Sequence, residues 1–321
     1  MAASRNRLST DLLSRVGRFL ADHVTDGRLA LGLSGGIDSV VLLHLLSRLL
    51  PAGQFAAIHV NHGLSPNAER WAVFCRDRCA SLNIPLSVVP VQVSPTGGGI
   101  EAAARLARYQ AFSDSGFATI LLAQHRADQA ETLLFNLLRG AGLHGAAAMR
   151  PAREHGALRI LRPLLDVSKA EIRDYAQQHS LTWIDDESND DRRFSRNFLR
   201  HEVLTAIAPR FPGGEAALAR AATHFAEAAD LLDELAENDW QDAADGDAAR
   251  LEVLRQLSSA RLKNLLRWRL RQLGWRVPDS ERLTEFARQL LTAAVDRHPC
   301  LNLPEGTMRL SRGRLTWLAC K

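Results

Sequence analysis

A doubly wound parallel α/β sheet, followed by a smaller mainly helical domain with short terminal strands, is the fold class that this 321-residue sequence predicts. Three observations carry it. Over roughly the first two hundred residues, short apolar runs alternate with stretches of helical periodicity, the pattern of repeated strand–helix–strand units. The segments rich in Ser, Gly, His and Asp come directly after those runs, where open parallel sheets bind ligands. Past "APRFPGG", residues 208–214, the alternation stops. Domains spanning 1–212 and 213–321 are therefore expected.

"LSTDLLSRVGRFLADHV" reads as an amphipathic helix; Asp11 and Asp22 and the lack of an apolar centre separate it from signal and transit peptides. "RLALGLS" is the first strand and "DSVVLLHLLSRLL" its helix. "QFAAIHVNHGL" is the second, with a helix from about Asn67 to Leu82. "LSVVPVQV" is the third, before "IEAAARLARYQAFSDS", and "TILLAQH" the fourth, before "DQAETLLFNLLRG". In the second domain, Glu215 to Asn238 is an alanine-rich helix, "DAADGDAA" a loop, Ser258 to Leu273 a basic helix and Ser280 to Leu291 another. "CLNLPEGTMRLSRGRLTWLA" forms short strands with glycine turns.

A net charge of +4 is compatible with a nucleic-acid partner. Lysine occurs only at Lys169, Lys263 and Lys321; the remaining basic residues are arginine, which binds phosphate bidentately. Cys75, Cys79, Cys300 and Cys320 form no C-x-x-C pair, which argues against zinc or iron–sulfur sites and for a reducing, cytoplasmic setting. No run approaches ~20 apolar residues, so no membrane span is expected.

Ser34-Gly35-Gly36-Ile37-Asp38-Ser39 follows the first strand. Ser and Asp there can simply cap the helix, but backbone N–H groups at a helix start, approached closely over glycines, also bind phosphate. A Walker A loop would carry a lysine after the glycines, and this segment does not. Asp38 is left either to hold a metal ion or to cap the loop's own amides. His59 and His62 stand three apart without a third ligand, a poor metal site. Glu101, Arg105 and Arg108 share a helical face. His125, Asp128 and Glu131 open the fourth helix; D-x-x-E there is also a capping box. Asp185, Asp186, Glu187, Asp190 and Asp191 precede the basic Arg196-Asn197-Phe198-Leu199-Arg200.

S-G-G-x-D-S resembles the pyrophosphate loop of the N-type ATP pyrophosphatases, a Rossmann-like PP-loop superfamily. "HVNHGL", E-x-x-x-R-x-x-R-Y, the His125 segment and D-E-S-N…R-N-x-x-R resemble its lysidine synthetase branch, over about Leu29 to Leu204. Ala127 replaces the first of two adjacent acidic residues often seen there. Longer relatives carry a further C-terminal domain, and this chain is expected to end before one. The resemblance implies an ATP-dependent ligase. The C2 oxygen of the wobble cytidine, in an isoleucine tRNA with a CAU anticodon, attacks the α-phosphate of ATP and pyrophosphate leaves. The ε-amine of free L-lysine then attacks C2 and expels AMP. It also implies roles. Ser34, Gly35, Gly36, Asp38, Ser39 and His59 bind ATP, with Mg²⁺ on Asp38. Asp38, Asp128, Glu131 and Arg196 are catalytic. Arg105, Arg108, His125, Asp186, Glu187, Asn197 and Arg200 meet lysine or tRNA, and Arg261, Lys263, Arg267, Arg269 and Arg271 are further phosphate contacts. A homodimer is among the expected states. A tRNA 2-thiolation enzyme and a non-catalytic tRNA-binding relative are the competing readings.

Overall fold

A computed structural model describes residues 2–24, 27–94, 99–185, 187, 195–294 and 297–320. The chain divides into two compact units, Met1–Ala226 and Glu227–Lys321.

The first unit begins with α1 (Ala2–His23), then β1 (Leu29–Gly32), α2 (Ile37–Leu49), β2 (Phe55–Asn61), α3 (Ala68–Ser81), β3 (Leu86–Pro90), α4 (Gly99–Ser113), β4 (Thr119–Leu121) and α5 (Arg126–Leu138). It continues with α6 (Leu143–Ala146), β5 (Ala152–His155), β6 (Leu158–Leu161), α7 (Lys169–Gln178), α8 (Ser195–Phe198), a π-helical turn at Leu199–Val203 and α9 (Leu204–Ile207). The sheet order is β3-β2-β1-β4-β6-β5. Every neighbouring pair is parallel except β5 with β6. The β5–β6 hairpin adds an antiparallel edge to the expected parallel sheet.

β1 is central because it can be buried on both faces: Leu29, Ala30 and Leu31 are all apolar and inaccessible. Helix α2 is apolar almost all round, and Val40 to Leu43, Leu45 and Leu46 are buried, as befits a helix covered on every side. From α1, Leu12, Val16 and Leu20 recur at helical spacing and join the same core as Ile172 and Tyr175 of α7.

The second unit contains the C-terminal part of α10 (Gly214–Ala243), then β7 (Ala244–Asp245), β8 (Ala248–Arg250), α11 (Leu251–Leu254), α12 (Ser259–Gln272), α13 (Ser280–Thr292), β9 (Cys300–Leu303), β10 (Gly306–Ser311) and β11 (Arg314–Ala319). Its antiparallel sheet runs β7-β8-β11-β10-β9. "DAADGDAA" is therefore no plain loop: Gly246 and Asp247 make the two-residue turn of the β7–β8 hairpin, and Gly246 takes φ +61°. Helix α12 buries Leu262, Leu265, Leu266 and Leu270 against Leu283, Phe286 and Leu290 of α13. Its arginines, expected on phosphate, are largely engaged within the unit. Arg261 binds Asp239, Arg271 binds Asp233, and Arg269 lies 4.2 Å from the Trp240 ring centroid. Their side chains serve to satisfy buried or half-buried carboxylates and to cover aromatic faces.

Candidate active site

The loop between β1 and α2 is held by its own hydroxyls. Ser39 Oγ accepts from Gly35 N–H at 3.1 Å and donates to the Gly36 carbonyl at 3.0 Å. Ser34 Oγ accepts from Gly36 N–H at 3.3 Å. Gly35 has φ +90°, and a Cβ there would lie 2.6 Å from Ile184 Cδ1. Ile184 in turn donates its N–H to the Gly35 carbonyl at 2.9 Å, so residue 35 must be glycine on two counts. Gly36 differs: its backbone is ordinary, and a Cβ would meet nothing closer than 3.6 Å. Its missing side chain relieves no strain and instead leaves room over the start of α2. No side chain caps that helix start, the condition for an anion to take the cap's place.

Asp38 does not fold back to cap the loop. Both its oxygens accept from Lys169 Nζ, at 2.8 and 2.9 Å. The cation that the loop lacks in sequence thus arrives from the first residue of α7, 131 positions away. Ser168 and Glu171 fix that residue with a reciprocal capping box.

From Asp38 the polar groups continue without a break. His125 Nε2 lies 3.6 Å from Asp38 and 3.7 Å from Asp128. Its Nδ1 accepts from Ala127 N–H at 3.2 Å, so the neutral ring carries its proton on Nε2, facing the two carboxylates. Asp128 accepts from His125 N–H at 2.9 Å. The capping box at α5 therefore closes between His125 and Asp128, not between Asp128 and Glu131. Glu131, one turn on, is buried, and Arg200 holds it from the π-helical turn through Nε at 2.6 Å and a second nitrogen at 2.9 Å. That second nitrogen also reaches Asp128 at 3.3 Å. Burial pushes the Glu131 carboxyl above its ordinary pKa even with Arg200 beside it. Burial alone would lower the Arg200 pKa, but Glu131, Asp128 and Asp38 together raise it.

The other expected residues lie around this chain. Arg200, not Arg196, is brought to the acidic pair; the Arg196 guanidinium sits 5.7 Å from the Phe135 ring centroid. His59 is buried, and its Nδ1–H donates to the Leu33 carbonyl at 2.9 Å, which braces the loop from behind. Glu187 accepts from Ser65 and Asn67, both at 2.9 Å, and so ties the segment after β2 to the start of α3. Asn197 is buried in α8. Asp186 lies outside the described residues. Arg105 turns to Tyr109 rather than Glu101, with its guanidinium 4.9 Å from the ring centroid. Arg108 keeps a buried Nε without any hydrogen-bond partner, and so does His62 at Nδ1. Burial, then the charges of Arg105 and Arg196, lowers the Arg108 pKa; burial, then Arg108, lowers that of His62. The orphaned Arg108 Nε–H, with Arg105 and Arg196 nearby, is chemically suited to an anion.

Beside the loop a cavity of about 610 Å³ runs from Gly36 and Asp38 along α7 to Trp183, with Arg200 on its wall. Lys169 was legible in sequence only as one of three lysines followed by a capping glutamate; nothing local linked it to the loop.

A parallel sheet delivering such a loop and such a charged cluster to one edge defines the PP-loop class, and residues 8–207 match the family model described as a PP-loop domain. Residues 250–316 match the model described as the TilS substrate binding domain. A tRNA(Ile)-lysidine synthase of Pseudomonas aeruginosa is 48% identical over 325 residues, covering 96% of this chain and 72% of that protein. One from Nitrosomonas europaea is 42% identical, covering 99% and 71%. The chain belongs to the tRNA(Ile)-lysidine synthase family. Among solved structures, the U34-tRNA thiolase NcsA of Methanococcus maripaludis superposes with a TM-score of 0.57 at 16% identity, over 70% of this chain and 80% of that one, a likeness of fold.

Proposed function

We propose that this chain is an ATP-dependent carbon–nitrogen ligase that converts the wobble cytidine of a CAU-anticodon isoleucine tRNA to lysidine. The observation that carries the proposal is the continuous polar chain Lys169–Asp38–His125–Asp128–Arg200–Glu131 beside an uncapped phosphate loop, in a member of this family. The loop amides and Lys169 hold the β- and γ-phosphates. As the cytidine C2 oxygen bonds to the α-phosphorus, the bond to the bridging oxygen breaks and pyrophosphate carries the charge away; Lys169 and the loop stabilise that charge where it develops. Asp38 is the carboxylate that would hold Mg²⁺, a hard cation that takes oxygen ligands. When bound, the ion would neutralise charge on the leaving group; Lys169 would then pass from Asp38 to phosphate.

In the second step the ε-ammonium of lysine loses a proton, its amine bonds to C2, and AMP departs with the former C2 oxygen. Asp128 and Glu131 are the carboxylates for that ammonium. Burial raises the Glu131 pKa, which makes its carboxylate a stronger base than an ordinary glutamate. Arg108, Arg105 and Arg196 meet phosphates of the RNA, whose target base must leave its stack to reach the site.

The thiolation reading is disfavoured by the cysteines. Burial pushes Cys75 to about 12 and Cys79 to about 11, so both stay protonated. Incubation with ATP, labelled lysine and the CAU-anticodon isoleucine tRNA tests the proposal, with the methionine tRNA of the same anticodon as control. Lysine incorporation into the first RNA alone is the expected result; sulfur incorporation, or no tRNA-dependent AMP release, overturns it.

A further inference from the structure

The cavity beside the loop holds one cation that the reaction just described does not use. Lys169, Arg173 and Gln177 recur every four residues along α7 and line it as a stripe. Two of the other cations on that wall are already neutralised: Lys169 by Asp38, Arg200 by Glu131 and Asp128. Arg173 is exposed and, among the described residues, makes no hydrogen bond or ion pair. It stands about 6 Å along the helix axis beyond Lys169, one turn farther from the loop. An incoming anion can therefore take its fork of donors without breaking an existing pair.

We propose that Arg173 is a pyrophosphate ligand. It grips the terminal phosphate of bound ATP and then the departing pyrophosphate, which shifts outward along α7 from Lys169. The proposal rests on the adenylating reading above. Phosphate chemistry in this cavity has two sources, the nucleotide and the RNA backbone. The polyphosphate is favoured because the cavity opens at Gly36 and Asp38, on the loop itself.

The test compares the whole chain with Arg173→Ala and Arg173→Lys. Calorimetric titration with inorganic pyrophosphate and Mg²⁺ should show affinity weakened about tenfold in the alanine variant, the scale of one charge-assisted contact, and partly restored by lysine. In turnover, KM for ATP should rise by a similar factor while KM for tRNA and lysine stays put. Unchanged pyrophosphate affinity would overturn the proposal. So would a salt slope of tRNA binding reduced by about one, which would give Arg173 to an RNA phosphodiester. If the wild-type chain binds pyrophosphate through Arg173 yet forms no lysidine, the reaction assigned above fails and the subsite stands.

Discussion

A methyl group at position 35 would have to occupy space held by Ile184 while adopting φ +90°. Gly35→Ala is therefore expected to lower stability by about 1–3 kcal/mol, measured by urea titration, and to weaken ATP binding because the loop must move. Asp38 is a different kind of residue, since its carboxylate meets Lys169 and His125 rather than loop amides. Asp38→Asn should cut tRNA-dependent AMP formation about 10²-fold with tRNA affinity unchanged; equal loss of both would give Asp38 a purely structural role. Arg200→Ala strands the buried Glu131. A loss of about 2–3 kcal/mol is expected, at the low end for breaking a buried pair because the Arg200 side chain is itself 37% exposed. The sign with pH follows from the raised Glu131 pKa: the folded state binds this proton more tightly than the unfolded chain, so this group's contribution to stability is fully present below its unfolded pKa and is lost as pH rises through the folded pKa. The variant's deficit should therefore shrink towards acid pH in thermal melts. Most of these residues were legible in sequence because each follows an apolar run, and a parallel sheet gathers such positions at one edge. Lys169 was not, and the choice between Arg196 and Arg200 was not, because both depend on how distant segments dock.

At the scale of elements, the site is built where α2 and α7 converge. Their packing is pinned away from the loop by His44, whose Nδ1 lies 2.9 Å from the Tyr175 hydroxyl and whose ring centroid is 4.9 Å from that of His179. Burial, then His179 and Arg48, lowers the His44 pKa to about 4. A histidine held neutral in the fold contributes stability above its unfolded pKa of ~6.5, and that contribution is lost as pH falls towards 4. Melting temperature should decline between those values, and His44→Gln should flatten the decline; an unchanged profile would assign it to other groups. The π-helical turn at Leu199–Val203 bears both Arg200 and His201 to the cavity wall, and such wider turns recur at functional sites. Periodicity could not reveal it, since one inserted residue looks like noise over five positions. The β5–β6 and β7–β8 hairpins escaped for a related reason: strands of two to four residues are too short for alternation to register, although Asp-Gly-Asp does signal a tight turn.

For the whole molecule, a net charge of +4 says little, because its arginines divide into two populations. Those of α12 are largely spent within the second unit, on Asp233, Asp239 and Trp240. Arg108 and Arg196 in the first unit have no carboxylate beside them among the described residues. The salt dependence of tRNA binding should follow that division. Arg108→Ala with Arg196→Ala is expected to reduce the slope by roughly 1.5–2. Arg261→Ala should leave it unchanged and instead lower the melting temperature, as the buried Asp239 loses its partner. The reverse pattern would move the RNA-facing charge to the second unit. The pairing of Asp38 with Lys169 also has a consequence in time. A nascent chain presents its phosphate loop long before its cation, since 131 residues of synthesis separate them. Until α7 emerges and docks, Asp38 lacks that partner and the loop lacks its cation, so on the function proposed above full ATP affinity is expected with the completion of the fold, not with the translation of its motif.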